Sequence, residues 1–318
     1  MRKERVLRFV GYAVFSLFSL FIALYLTFPI AAVAERLSFD LENRSKGALT
    51  LEIGDIDLAG ITGVEAEEVR VGLGFTDPAI PLKIDELRVR FGLLALLLTN
   101  TDIQADAMVG AGKVEGVFRS EDKFAMSLGA SWQNLDLNAP PILPSLAGVP
   151  LAGELSGQVE LAWTRSLSKA NGMLSFGFDD IELGAGEVFP GFKIGSPVGS
   201  GKISMGYEVK DGTALLSQYE QTSDGKGGQP ALSLELVEAR AKLNNDIRRT
   251  TFEACVKFKL EDAYLNKKEN KDLKRAIDLL NLQFRKDPEG YFHAAFSGDF
   301  SFVRKLRLRK RLCKKTKK

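Results

Sequence analysis

This sequence predicts a mainly β protein behind a single N-terminal transmembrane helix. The outer part is expected to be a long, curved, mostly antiparallel sheet carrying one or two short capping helices. Three observations predict it. Residues 9–28 form an uncharged apolar run between Arg8 and Pro29. From residue 43 onward, apolar and polar residues alternate with a period of two in segment after segment. Helical spacing returns only in brief stretches, too few to build a helical domain.

The apolar run comes first. At about 1.5 Å per residue its 20 residues span roughly 30 Å, the thickness of a bilayer's hydrocarbon core. Phe9, Leu17, Leu20, Tyr25 and Phe28 point to all sides of such a helix, as lipid burial requires, and Pro29 ends it. Arg2, Lys3, Arg5 and Arg8 precede it, so residues 1–8 are expected in the cytoplasm and everything past the 9–29 anchor outside it, in the periplasm of a Gram-negative cell. Ala32-Val33-Ala34 also fits a signal-peptidase site, and cleavage there stays open as an alternative. The apolar run exceeds the about 7–15 residues of a signal peptide's core, which favours a retained anchor.

A membrane-proximal helix is expected at 30–42, where Val33, Leu37 and Leu41 lie four residues apart. The period then changes to two. Leu49, Leu51 and Ile53 alternate with polar residues, as do Val69, Val71 and Leu73, and Leu87, Val89 and Phe91. The pattern continues at Phe124, Met126 and Leu128; at Leu155, Val159, Leu161 and Trp163; and at Leu174, Phe176 and Phe178. It recurs from Ile203 to Val209, from Leu232 to Leu236 and from Phe252 to Leu260. Such segments have one apolar and one wet face, the pattern of antiparallel sheets. Gly112, Gly153, Gly172 and Gly201 each begin a similar phrase at irregular intervals, which suggests turn glycines of a meander and excludes a fixed repeat.

Pro140, Pro141, Pro144 and Pro150 make 139–150 the expected connection between two β-rich halves, 43–138 and 151–303. Residues 223–230 read as a hairpin tip. Two short helical stretches interrupt the strands. Residues 93–98 form a Leu-rich run too short for a membrane. In 271–280, Leu273, Ile277 and Leu280 share one face, which suits a helix capping the sheet.

Chemistry is sparse. His293 is the only histidine, and its alternating segment makes it a half-exposed strand residue on the face opposite Phe292 and Phe296. There is no nucleophile elbow, zinc motif or phosphate loop, so no enzyme activity, metal or cofactor is expected. Cys255 and Cys313 are the only cysteines; a bridge between them is possible in an oxidising compartment and left open. The net charge of +2 hides an asymmetry: residues 304–318 hold ten Lys or Arg and no acid, leaving a body of 33 basic against 41 acidic residues, net −8. Arg304, Lys305, Arg307, Arg309, Lys310 and Arg311 thus form either a disordered solubilising end or a contact with an anionic surface of phospholipid or lipopolysaccharide, at about 1 kcal/mol per basic residue. The topology argues against nucleic acid.

Seven aromatic residues fall in or beside the alternating segments: Phe124, Trp163, Phe176, Phe178, Tyr207, Phe252 and Phe258. They line either the closed core of a β-sandwich or an open groove, and alternation alone cannot separate the two.

Several stretches resemble a known family. They are Leu24-Tyr25-Leu26-Thr27-Phe28-Pro29 followed by Glu35-Arg36-Leu37, the phrase Gly47-Ala48-Leu49-Thr50-Leu51, and the strand running into the Leu-rich run at 81–98. The strand at 151–163 with Gly153 and Gly157, and Arg285-Lys286-Asp287-Pro288-Glu289-Gly290-Tyr291, complete the set. Together they resemble type II secretion protein N, the GspN family, over nearly the whole chain, though the basic tail beyond Gly298 departs from it. The resemblance implies a non-enzymatic, single-pass inner-membrane accessory or assembly subunit of a type II secretion system, whose periplasmic β domain engages other secretion subunits. GspN in turn resembles AsmA-type proteins, which implies the alternative of lipid binding or inter-membrane lipid transport along an apolar groove.

Overall fold

The alternating segments pair with one another nearly in the order in which they occur, as expected where each strand turns back on its predecessor. The computed structural model describes residues 9, 11, 12, 14–16, 18–20, 23, 27, 30–45, 49–60, 62–73, 80–92, 100–120, 124–138, 149–189, 192–223, 230–246, 249–283, 285–299, 307–309 and 313.

The strands are β1 (Leu49–Glu52), β2 (Ile56–Ala59), β3 (Gly63–Leu73), β4 (Ile80–Phe91), β5 (Thr101–Val109), β6 (Gly112–Ser120), β7 (Ala125–Asp136), β8 (Leu151–Thr164) and β9 (Asn171–Leu183). They continue with β10 (Gly186–Phe189), β11 (Phe192–Ile194), β12 (Val198–Lys210), β13 (Thr213–Thr222), β14 (Leu232–Lys242), β15 (Thr251–Leu260), β16 (Arg285–Lys286), β17 (Phe292–Asp299) and β18 (Arg307–Arg309). All except β10 and β11 belong to one 16-stranded sheet, antiparallel at every pairing; β10 and β11 form a separate two-stranded hairpin. The fold is mainly β, as expected.

Both edges of this sheet are built alike. β1 and β2 together cover the outer edge of β3, and β16 and β18 cover that of β17. Short edge strands leave little backbone open to unintended pairing. α1 (Ile30–Ser45) packs along β1 and β2, where the membrane-proximal helix was expected. β7 and β8 pair from Ala125 and Thr164 to Asp136 and Glu154, so the two β-rich stretches flanking 139–150 are parts of one sheet.

Local chemistry explains the turns. Asp211 and Gly212 link β12 to β13 with φ of 47° and 68°, the double left-handed geometry of a type I′ hairpin. Gly112 opens β6, but Gly153, Gly172 and Gly201 lie inside β8, β9 and β12 and are not turn residues. Glu68, Asn134 and Asp180 are non-glycine residues with positive φ; the ladder register shifts at Asn134 and Asp180, which mark bulges, and runs unshifted past Glu68. At each one the spacing of apolar residues stretches from two to three, from Ala66 to Val69, Trp132 to Leu135 and Phe178 to Ile181. A bulge adds one residue and re-aims the side chains beyond it, so the apolar set stays on the same face.

Described residues between 9 and 23 are helical, and the apolar ones among them, Phe9, Tyr12, Val14, Phe15, Phe18 and Leu20, are exposed. Among the described residues no helix is long and apolar enough to cross a membrane. Leu17, Tyr25, Phe28 and Pro29 lie outside the described residues, as do the 93–98 run and most of the 223–230 tip.

Candidate functional site

Ladder register converts the sequence alternation into continuous rows across the sheet. One row reads Val64, Val89, Ala105, Gly116, Ala130, Val159, Leu174, Tyr207 and Leu216, each opposite the next on adjacent strands from β3 to β13. The neighbouring apolar row reads Ala66, Leu87, Ala107, Val114, Trp132, Gly157, Phe176, Met205 and Tyr219. Between them lies a row of the other parity: Glu65, Arg88, Asp106, Glu115, Ser131, Gln158 and Ser175. One face of the sheet is therefore hydrocarbon and the other charged.

The polar face is laced with cross-strand ion pairs between directly opposed residues. Arg88 reaches Glu65 at 2.9 Å, Arg240 reaches Glu253 at 2.7 Å, Lys257 reaches Glu235 at 3.6 Å and Arg119 reaches Asp102 at 3.7 Å. The Arg88 guanidinium holds the Glu65 carboxyl below its ordinary range. Exposed pairs of this kind contribute little stability; their value here is to identify the wet face.

The apolar face behaves differently from the inside of a sandwich. Inner residues of two packed sheets interdigitate and lose nearly all their surface. In β5 to β9 most residues of this face, Phe118, Trp132, Val159, Trp163 and Phe176 among them, are only half-buried, Val109 at the end of β5 being a buried exception. Their rings instead lie across neighbouring strands. Trp132 and Phe176 have centroids 5.6 Å apart, Phe176 and Tyr207 6.1 Å, and Phe118 and Trp163 6.3 Å. Such tilted and edge-on pairs stabilise by about 0.5–1.5 kcal/mol each beyond burial. Gly157 makes this possible, since a Cβ there would stand 2.6 Å from Cζ2 of Trp132. Burial pushes the Tyr207 hydroxyl pKa up, while Nε1 of Trp132 is buried with no hydrogen-bond partner among the described residues.

Toward β14, β15 and β17 the same face is roofed. α2 (Asp262–Leu265), α3 (Lys271–Gln283) and β11 set Tyr264, Leu273 and Ile194 over Val198, Leu232 and Phe292. α3 is the capping helix expected from the 271–280 spacing. A buried asparagine fastens this roof. Asn270 Oδ1 accepts hydrogen bonds from the backbone N–H groups of Gly195 and Ser196 at 3.1 Å, and its Nδ2 donates to Ser196 Oγ at 3.1 Å and Tyr264 O at 3.0 Å.

Between the open and roofed parts the ladder is incomplete. Among the described residues β13 and β14 pair only at Thr213–Leu215 with Arg240–Lys242. Beyond that, side chains bridge the strands. Gln221 Nε2 donates to Ser200 O at 2.6 Å and Leu232 O at 2.9 Å, while its Oε1 accepts from Leu234 N–H at 2.7 Å. Tyr219 O–H donates to Leu234 O at 2.8 Å, and burial, aided by Glu235, pushes its pKa up to about 12.

Six of the seven aromatic residues singled out from the sequence, Trp163, Phe176, Phe178, Tyr207, Phe252 and Phe258, share the apolar parity, with Phe258 stacked on Phe292 at 5.4 Å in the roofed part. Phe124 stands apart at the head of β7: it is 47% exposed, and the Arg165 guanidinium lies 4.6 Å from its ring centroid. Trp132 and Phe118 were missed, although extending the alternation from Met126 or Val114 by a few residues reaches both.

On the wet face His293 is 3% exposed rather than half-exposed. Its Nε2 meets Asp287 Oδ2 at 3.1 Å and its Nδ1 accepts from Cys313 N–H at 2.8 Å. Cys313 forms a disulfide with Cys255, Cα atoms 5.6 Å apart, which settles the pairing that the sequence left open. The basic tail is thus not wholly disordered: Arg307–Arg309 form β18 and Cys313 is tied down. Arg304, Lys305, Lys310 and Arg311 lie outside the described residues. Among the described residues no group of three or more His, Cys, Asp or Glu is placed to hold a metal ion.

No protein family, curated protein or solved structure matches this chain. Its function is therefore to be sought in the geometry of the apolar face.

Proposed function

We propose that this chain is a non-enzymatic lipid-handling protein of the bacterial envelope, whose sheet carries acyl chains on its apolar face while its N-terminal helix holds it in the inner membrane. One observation carries the reading: rows of apolar residues cross nine strands in register, and in β5 to β9 they stay half-accessible. Apolar patches beyond a few hundred Å² on a protein surface mark interaction sites, and a face of stacked rings with polar groups excluded suits hydrocarbon. The exposed apolar helical residues from Phe9 to Leu20 fit an anchor embedded in lipid, with the N-terminus cytoplasmic and the sheet periplasmic.

A type II secretion subunit, the role that the GspN resemblance implies, would most simply dock by adding a strand to a sheet edge. Here both edges end in strands of two to four residues, which favours the face over the edge as the working surface. The test is to extract the full-length chain from membranes in a polymer disc and quantify bound phospholipid, beside a variant with Val159→Glu and Phe176→Glu. The reading expects lipid in excess of that held by a disc containing the 1–45 segment alone, and its loss in the variant. Equal lipid in all three samples refutes it. Periplasmic accumulation of folded exoproteins on gene deletion, with lipid binding absent, would favour the secretion role instead.

A further inference from the structure

The roofed end of the apolar face forms a half-open cavity of about 230 Å³. Its floor is Leu232, Leu234, Val256 and Phe258 from β14 and β15, its far wall Ala294 and Phe296 from β17, and Tyr264 and Leu273 close it from above. Every lining residue is apolar or, in Tyr264, turns its hydroxyl away to the carbonyl of Ser196. Among the described residues no charged side chain lines the cavity, so a lipid headgroup has no partner there and a desolvated ion would be costly.

We propose that this cavity binds the methyl end of a single acyl chain, making the roofed end of the sheet a terminal stop for lipid lying along the open face. The proposal rests on the lipid-handling reading and deepens it. An apolar cavity of about 150 Å³ stays dry and takes benzene, so by proportion one of about 230 Å³ takes roughly nine carbons. That is the outer half of an ordinary fatty acyl chain and too little space for two chains side by side. On its other side the lining reaches Val198 of β12 and Leu183 of β9, the last of the half-accessible strands, so the rest of the chain continues onto the open face. The roof is a built part of the fold, since buried Asn270 makes four hydrogen bonds to hold it.

The experiment uses the full-length chain in its native membrane and two photoreactive palmitic acids, one with a diazirine at its terminal carbon and one with it next to the carboxyl. Crosslinked peptides are mapped by mass spectrometry. The terminal probe should label peptides containing Leu232, Phe258 and Leu273, and the carboxyl-side probe should label peptides containing Trp132 and Trp163. Ala294→Phe fills the cavity and should cut terminal-probe labelling of the Leu273 peptide by roughly tenfold, equivalent to about 1.4 kcal/mol, while labelling of the Trp132 peptide persists. The map in the unmodified chain decides even if the variant folds poorly. If both probes label only the open face, the cavity proposal falls and the lipid reading stands. If neither labels the sheet above a bystander membrane protein, both fall together.

Discussion

Replacing Asn270 with leucine should unfasten the roof while leaving the sheet intact. The side chain is fully buried and nearly isosteric with leucine, so the volume of the site is kept while four hydrogen bonds of 3.0 to 3.1 Å vanish. Each bond contributes about 0.5–1.5 kcal/mol net, and a buried partner left unpaired costs about 1–3 kcal/mol. Gly195 and Ser196 are half-buried and regain water when the roof lifts, so their loss sits at the lower end. The carbonyl of Tyr264 keeps the hydrogen bond from Lys267 N–H at 3.2 Å, so it escapes the full penalty of an unpaired buried group. The sum is about 2–4 kcal/mol against the closed roof. At about 1.4 kcal/mol per tenfold, amide exchange across 192–196 and 262–277 should accelerate by at least about 25-fold. Strands β5 to β8 lie outside the roofed cluster and should exchange as before. Hydrogen–deuterium exchange with peptide-level readout measures both regions at once. Acceleration below about fivefold in the roof would refute the claim that Asn270 fastens it, and uniform acceleration everywhere would refute the independence of roof and sheet.

Gln221→Leu should open the seam between β13 and β14. Two of its side-chain hydrogen bonds replace the missing ladder there and a third ties it to Ser200 O on β12, so a loss of about 2–4 kcal/mol is expected locally, read as faster exchange at Leu234; unchanged exchange would contradict it. Asp287 lies among Lys257, His293 and the Tyr291 N–H. Burial, the largest influence, pushes its pKa up, but those partners together bring it below the ordinary 3.8. Its contribution is thus present above pH 3.8 and lost as pH falls through the lower folded value. Asp287→Asn should lower stability at pH 7 and flatten the acid limb of a denaturation series; an unchanged limb would exclude the ion pair as its cause. Reduction of Cys255–Cys313, which closes a loop with a sequence separation of 58, should cost about 4 kcal/mol by loop entropy. Reductant should therefore lower the melting temperature of the native chain and leave Cys313→Ser unmoved, and equal responses would show that the bridge carries no stability.

Much of this protein was legible from side-chain spacing. The period-two segments became strands, 30–42 and 271–280 became helices, and the separation of an apolar from a charged parity emerged almost residue for residue. Val159, Leu161 and Trp163 needed only their own alternation to declare which way they point. What alternation could not report was the number of layers. Parity is a property of one strand, whereas a covering sheet lies about 10 Å away and depends on pairings remote in sequence. The same gap explains His293: its face was readable, but its burial arises from Asp287 and Cys313, brought together by a hairpin and a disulfide. Asn270 and Gln221 were silent for a like reason, since one polar residue announces nothing until its four or three partners are in place. Local periodicity was enough to specify a β-rich chain with one oily and one charged face behind an apolar N-terminal run, because each of those features repeats within a few residues. That all but two of the strands form a single antiparallel sheet, open over its middle strands, roofed at one end and tied at its C-terminal edge, emerged only on folding, because each of those features needs contacts between residues far apart in the chain.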